Sequence, residues 1–241
     1  MFKTRNTFIF SVVLIALCLF VLANYSKDPS EKRILNLKIL ADGTFRDNPG
    51  WKYIIEHVTR EAAYEFNRQL GIVLKVKIIE ELDATCYFSP SIDKEIKEIE
   101  TIKAHLPLFN KELNDRLYDL SFYKSEQELI WLKKHVDFDD CDIVVFFSSN
   151  EYGIVTGSVD EIYGKWALVA YGAEKENSLS RVLRTFIHEI GHSFGAVHVN
   201  SRDSVMSQGW SESRGLTFDK FNKKRILKYA RENLKKQPKQ E

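Results

Sequence analysis

One short stretch carries three histidines and a glutamate at fixed spacing, and it constrains the fold more than any other part of the chain. It runs from His188 to His198, with Glu189 beside the first histidine and His192 four residues after it. Side chains four residues apart lie on the same face of an α-helix, so His188 and His192 can bind one metal ion. Gly195 favours the left-handed conformation that ends a helix, and this turn brings His198 back as a third ligand.

Three protein ligands leave one coordination position open, which is typical of catalytic zinc. Glu189 lies beside the metal rather than on it, where it can accept a proton from a metal-activated water. The pattern H-E-x-x-H-x-x-G-x-x-H followed by Met206 resembles that of the metzincin metallopeptidases. The alternative is an amphipathic helix whose histidines align by chance, and the low frequency of histidine in average proteins disfavours it.

The resemblance implies an α+β fold with a twisted, mixed five-stranded sheet, a long backing helix, an active-site helix, a methionine turn and a C-terminal helix. It implies a zinc-dependent endopeptidase with one catalytic Zn²⁺ on His188, His192 and His198. Glu189 is then the general base of peptide-bond hydrolysis, and Met206 forms an apolar floor beneath the metal. The expected substrate is a peptide or a protein.

Two neighbours of the motif leave the metzincin subfamily unassigned. Val199 follows the last histidine, where well-known subfamilies carry a characteristic Ser, Asp, Glu or Pro. Gln208 stands where astacin-like and serralysin-like members have a tyrosine as an extra ligand. Two other functions stay open, namely a catalytically silent binding protein with the zinc fold and a zinc hydrolase of non-peptide amides. The intact Glu189 argues against the silent protein, because a purely structural site needs no base.

Composition and charge limit the domain count and the partners. A chain of 241 residues with 44% hydrophobic content can bury one substantial core. A formal net charge of +1 gives no global field that attracts nucleic acid, so we expect no nucleic-acid partner. We predict a monomeric metzincin-like catalytic domain over residues 34–236, with a helical insert at about 83–136, followed by a polar tail over 237–241.

A basic start and an apolar run precede this domain. Lys3 and Arg5 come before an apolar run over residues 8–23, a pattern typical of an export signal. The run is longer than most signal cores and shorter than a comfortable membrane span, so cleavage and retention as a single-span anchor both stay open. Residues 1–23 are therefore predicted to be a signal peptide or membrane anchor, and 24–33 a linker. Either alternative exports the domain to the periplasm, the extracellular space or the outward face of a membrane.

The rest of the chain alternates between strand and helix patterns. Within the insert, Ser125 and Glu128 have the spacing of a capping box, which predicts that a new helix begins there. Residues 153–159 suit an edge strand, where we expect an extended peptide to pair. The other predicted elements are strands at 34–40, 73–79, 142–147 and 166–171, and helices at 51–70, from about Ser178 and at about 217–235.

Two further predictions concern substrate contacts and cysteines. Gly157 in the edge strand and Trp210 in the loop after the methionine turn are predicted to contact the substrate. Apart from Cys18 in the N-terminal run, the cysteines are Cys86 and Cys141. In an oxidising compartment these two can form a disulfide that closes a long loop. Two buried free thiols are the alternative.

Overall fold

The structure is a computed structural model, and it describes residues 32–83, 90–105, 111–149, 156–171, 179–208 and 215–235. Its strands are β1 (Arg33–Asp42), β2 (Ile72–Leu82), β3 (Ile143–Ser148), β4 (Gly157–Val159) and β5 (Trp166–Ala170). Its helices over the same residues are α1 (Gly43–Arg46), α2 (Trp51–Leu70), α3 (Pro90–His105), α4 (Lys111–His135), α5 (Leu179–Ser193) and α6 (Lys220–Asn233). Apart from the short helix α1, which the sequence analysis did not predict, this order of strands and helices agrees with the sequence prediction.

The strands form one mixed sheet in the order β2-β1-β3-β5-β4. The first four pair in parallel, and β4 pairs antiparallel with β5 at the edge. All six residues of β3 are buried, as expected for a parallel strand covered on both faces. The predicted edge strand began at Gly153, whereas β4 begins at Gly157, and residues 150–155 lie outside the described ranges.

One face of the sheet packs against α2, α5 and α6. Val58, Ala62 and Phe66 of α2 are fully buried in this core. The Phe66 ring lies 6.0 Å from that of Phe194, just after α5, and 5.5 Å from that of Phe218, just before α6. Burying such a side chain contributes roughly 1.5–3 kcal/mol, so these contacts fix the position of α5 beneath the sheet.

The other face of the sheet is covered by the second half of α4. Leu129 and Leu132 of this helix pack with Val144, Phe146 and Trp166 of the sheet. The helical insert therefore supplies a third layer of the domain.

The predicted helix start at Ser125 is wrong, because α4 is continuous from Lys111 to His135. Ser125 and Glu128 are both buried in its interior, and the Ser125 hydroxyl donates to the carbonyl of Phe122 at 2.8 Å. The apolar side chains of α4 pack against α3 before this point and against the sheet after it. This packing outweighs the local capping pattern.

The two ends of the described domain meet. The backbone N–H of Ile34, in β1, donates to the carbonyl of Lys235, just after α6, at 3.2 Å. The Arg33 guanidinium donates to the carbonyl of Leu234 at 3.2 Å.

Several sequence predictions concern residues outside the described ranges, namely the apolar run at 8–23, Cys86 and Trp210. Cys141 is buried and forms no disulfide with another described residue; because Cys86 lies outside the described ranges, their disulfide stays a prediction. Over the described residues, no helix is both long and apolar enough to cross a bilayer.

Candidate metal and active site

Three imidazole nitrogens converge on one point at the side of α5. The Nε2 atom of His188 lies 3.0 Å from that of His192 and 3.1 Å from that of His198, and the last pair is 3.2 Å apart. A tetrahedral zinc ion with bonds of 2.0–2.1 Å places its ligand atoms roughly 3.3–3.4 Å apart. The three nitrogens therefore fit a single ion with only small adjustments.

Backbone carbonyls fix the tautomer of two of these histidines. The Nδ1 atom of His188 lies 2.7 Å from the carbonyl oxygen of Val205, and that of His192 lies 2.8 Å from the carbonyl oxygen of Ala196. A carbonyl only accepts, so Nδ1–H must donate in both rings and each Nε2 keeps its lone pair. Lone pairs that face one another repel, and a bound cation removes that repulsion.

The surroundings also keep these imidazoles neutral. Burial, together with the charge of His192, lowers the pKa of His188 to about 3. Burial lowers the pKa of His192 to about 4 and also lowers that of His198. Because only a neutral imidazole binds a metal, protons compete weakly at this site.

The turn after α5 delivers His198 to the other two ligands. Gly195 has φ +83°, and its N–H donates to the carbonyl of His192 at 2.8 Å. The next N–H, of Ala196, donates to the carbonyl of Gly191 at 3.0 Å. A Cβ on Gly195 would lie 2.0 Å from the ring of Tyr163, so both the conformation and the packing require glycine here.

The beginning of α6 holds the loop between this turn and His198. The Asn222 side chain, fully buried, accepts from the N–H of Val197 at 2.9 Å and donates to its carbonyl at 3.0 Å. The Arg225 guanidinium donates to the carbonyl of Gly195 at 2.5 Å. Sequence reasoning missed Asn222 and Arg225 because they are distant from the motif in the chain. In the structure, the helix that carries them begins after Asp219, whose side chain caps it.

Met206 lies against the backbone of α5 at Gly191, the residue before His192. It is fully buried, and a Cβ on Gly191 would lie 2.8 Å from its Sδ atom. The backbone N–H of Val199 donates to the Met206 carbonyl at 3.1 Å, and Val199 forms an isolated bridge with Ser207. Val199 thus contacts the methionine turn through backbone atoms, which any non-proline residue can supply.

Arg184 lies on α5, four residues before His188, and holds the methionine turn against this helix. Its Nη2 donates to the carbonyl of Val205 at 3.1 Å, and the same oxygen accepts from His188. One carbonyl therefore couples the position of the turn to the orientation of a metal ligand. Sequence reasoning missed Arg184 because its partner is a backbone atom remote in the chain.

Glu189 is buried against the edge strand. Its Oε1 would lie 2.6 Å from a Cβ on Gly157, and the Thr185 methyl would be equally close to that Cβ. Gly157, predicted to contact the substrate, is therefore also the residue that makes room for Glu189. Burial raises the pKa of Glu189 to about 8, and a cation held nearby would lower it by favouring the carboxylate.

A cleft of about 840 Å³ opens at this site, a volume within the range typical of ligand pockets. The three histidines and Glu189 line it together with Gly157 and Gln208. Trp210 lies outside the described residues, so its predicted substrate contact stays a prediction.

Comparison with known proteins agrees with this geometry. The profile of the metallo-peptidase family M12 (Reprolysin_5) matches residues 31–220. No curated protein sequence matches the chain significantly.

Solved structures share the fold at low sequence identity. The crystal structure of archaemetzincin from Methanopyrus kandleri matches with a TM-score of 0.51 and 18% identity, over 86% of this chain and 99% of that one. Metalloproteinase-II from Bacteroides fragilis matches with a TM-score of 0.53 and 15% identity, over 82% of this chain and 53% of that one. The chain thus spans about half the length of the Bacteroides protein. The predicted metzincin-like α+β fold is confirmed.

Proposed function

Because this chain belongs to metallo-peptidase family M12, we propose that it is a zinc-dependent endopeptidase. The observation that carries the proposal is the convergence of three Nε2 atoms, 3.0–3.2 Å apart, in a cleft that also holds a buried glutamate. His188, His192 and His198 are the proposed zinc ligands. Three protein ligands rather than four favour a catalytic ion over a structural one.

The proposed reaction is the hydrolysis of a peptide bond. Zinc, when bound, supplies Lewis-acid chemistry that activates water and polarises a carbonyl group. Glu189 accepts the proton of the attacking water and donates it to the nitrogen of the leaving amine. The carbonyls of Val205 and Ala196 keep two ligand imidazoles oriented throughout, because each accepts from an Nδ1–H.

We propose that the backbone of the substrate pairs with the edge strand β4. One edge of β4 pairs with β5, and no described strand pairs with its other edge. An extended peptide can add to such an edge through main-chain hydrogen bonds. This mode of binding holds residues on both sides of the scissile bond, as an endopeptidase requires.

A Glu189→Gln variant tests the proposal. The amide keeps the size of the side chain but cannot accept a proton, so cleavage of a proteome-derived peptide library should fall roughly 100-fold or more. Zinc content, measured by elemental analysis, should stay equal to that of the wild type. Glu56→Gln, at an exposed position on α2, is the matched control and should keep full activity.

Three outcomes would contradict the proposal. One is undiminished peptide cleavage by Glu189→Gln. Another is a wild-type protein that holds less than about half a zinc per chain and does not recover on addition of zinc. The third is activity on small amides with none on peptides, which would indicate a different hydrolase.

We also propose that the domain works outside the cytosol, with residues 8–23 as export signal or membrane tether. The support is the basic start at Lys3 and Arg5 before the apolar run. A phosphatase that is active only after export, fused behind Lys235, should be active in cells. An inactive fusion that is nevertheless expressed would contradict the proposal.

A further inference from the structure

Two aromatic side chains of the helical insert line the same cleft as the metal-site histidines. Tyr118 and Phe122 are four residues apart on α4, so they lie on one face of the helix. Their rings are nearly parallel, with centroids 6.3 Å apart and an interplanar angle of 13°. Both border the cleft that contains His188 and Glu189.

These two rings keep much of their apolar surface in contact with solvent. Tyr118 and Phe122 are each 45% exposed, and Ile162, which also lines the cleft, is 39% exposed. Isolated apolar residues on a protein surface need no explanation, whereas adjacent, exposed rings that line a cleft together with a third apolar side chain indicate a binding surface. We call Tyr118, Phe122 and Ile162 the apolar shelf.

The helix beneath the apolar shelf is fixed on two sides. Ile96 and Ile99 of α3 pack against Leu117 and Leu120 of α4. The second half of α4 is anchored in the core on the outer face of the sheet. The buried Lys124, directly after this stretch, pairs with Asp93 of α3 at 2.7 Å. The rings are therefore presented by a rigid element, as a subsite requires.

Two acidic residues that line the cleft, Asp160 and Glu161, directly precede Ile162. The Asp160 carboxylate pairs with Lys133 of α4 at 2.6 Å, whereas Glu161 is exposed. This ion pair also ties α4 to the segment that follows β4. The shelf itself consists of three uncharged side chains, so a large apolar side chain can bury its surface against them.

We infer that the apolar shelf is a subsite for one large apolar side chain of the substrate peptide, so that the helical insert determines cleavage preference. The inference rests on the proposed function, because it assumes that a peptide lies along β4. A peptide in that position presents alternate side chains to the wall of the cleft. Burial of a large side chain against the two rings would remove apolar surface of both partners from water.

The test compares cleavage preferences of the wild type and a Tyr118→Ala/Phe122→Ala double variant on a proteome-derived peptide library. Products of the wild type should show a large apolar residue enriched at one position. For peptides with that residue, the double variant should lose about tenfold in kcat/KM. For peptides with alanine at the same position, its kcat/KM should change by less than about twofold.

Tyr123→Ala is the matched control. Tyr123 lies on the same helix and is 47% exposed, but it is not among the described residues that line the cleft. Its cleavage preference should equal that of the wild type. Zinc content and thermal unfolding of all variants should match, which separates a change of preference from damage to the fold.

A second variant, Phe122→Arg, should acquire a new cleavage preference, which misfolding cannot produce. A guanidinium on the shelf should shift the preferred residue at the same position from large apolar to acidic.

Two results would overturn the inference. If the double variant loses activity equally on all peptides, or keeps the wild-type preference, the shelf does not select substrates although the proposed function stands. If the zinc-loaded wild type cleaves no peptide at all, the proposed function fails and the inference fails with it.

Discussion

The carboxylate of Glu189 lies in a space that exists because residue 157 has no side chain. A Cβ at Gly157 would approach both Glu189 and Thr185 to 2.6 Å, closer than non-bonded atoms tolerate. The base of the proposed reaction and the edge strand of the sheet are thus in direct contact. At the scale of single residues, the position of Glu189 therefore depends on the absence of a side chain at residue 157.

We predict that Gly157→Ala displaces Glu189 and impairs catalysis. The added methyl should lower kcat/KM at least about tenfold and the free energy of unfolding by about 1–3 kcal/mol, because the close-packed neighbours must move. The zinc content should stay unchanged, since the three atoms nearest to the new methyl belong to Glu189 and Thr185 and not to a histidine. Peptidase assays, elemental analysis and urea unfolding measure these quantities.

The control is Gly215→Ala, where a Cβ would meet its nearest atom at 3.7 Å, an ordinary contact distance. This variant should resemble the wild type in all three measurements. Wild-type activity in Gly157→Ala would show that Glu189 does not need its present position.

At the scale of elements, α6 holds the loop over residues 195–198, which carries His198 and which we call the ligand loop. Asn222 forms two hydrogen bonds with the backbone of Val197, the residue before His198. The Asp219 carboxylate holds Asn222 in turn and also accepts from the Ser204 hydroxyl, near Met206. One helix terminus thereby organises both the third histidine and the methionine turn.

We predict that Asn222→Ala weakens zinc binding without changing the fold. The substitution leaves the N–H and C=O of Val197 without their side-chain partner, at a cost of about 1–3 kcal/mol. His198 should then become less well positioned, so competition with a chromophoric chelator should report a higher Kd for zinc. Asn233→Ala, at an exposed position on the same helix, should leave the Kd unchanged, and an equal effect of both substitutions would contradict this role.

We predict that the stability contributed by Asp219 depends on pH. Burial alone would raise the pKa of this carboxyl, but hydrogen bonds from Asn222 and Ser204 outweigh it and lower the pKa below the ordinary 3.8. A lowered folded-state pKa means that the contribution is fully present above the unfolded pKa and is lost as the pH falls through the folded pKa.

Asp219→Asn should therefore be less stable than the wild type at neutral pH, and the difference should shrink below about pH 3.8. Urea unfolding of the zinc-free proteins over a pH series measures it. A difference that stays constant down to the lowest pH would show that the carboxylate charge is not involved.

At the scale of the whole molecule, the three zinc-binding histidines lie on two parts of the chain: His188 and His192 on α5, and His198 on the loop that α6 holds. A metal ion bound there connects these parts only in the folded state, so it should stabilise the domain by RT ln(1 + [L]/Kd), about 4 kcal/mol at a thousandfold excess over Kd. Removal of zinc should accordingly lower the Tm.

The measurement is calorimetry with and without a chelator. Chelation should lower the Tm of both the wild type and Glu189→Gln, because both keep all three zinc-binding histidines. Chelation should change the Tm of His198→Ala little, because this variant lacks one zinc ligand. His135→Ala, which alters an exposed histidine on α4, should respond to the chelator as the wild type does. An equal chelator effect in His198→Ala would place the ion elsewhere.

The sequence predicted what depends on local spacing and missed what depends on distant contacts. His188, His192 and His198 could be identified because helical geometry and one glycine turn bring them together within a few residues. The roles of Asn222 and Arg184 could not, because both bind backbone atoms far away in the chain. The predicted helix start at Ser125 was wrong for the same reason, since the packing of α4 is set by partners outside its own sequence.

The meeting of Ile34 with Lys235 has a practical consequence for engineering the molecule. Because Ile34 and Lys235 are joined by a backbone hydrogen bond, a short peptide could connect the two ends of the domain, and new termini could be opened elsewhere in the chain. Opening the chain between α3 and α4 would leave β1 to β5, the ligand loop and α6 intact. Such a circular permutant would give each of the two insert helices a free end, so that variants of both helices could be tested beside an unchanged metal site.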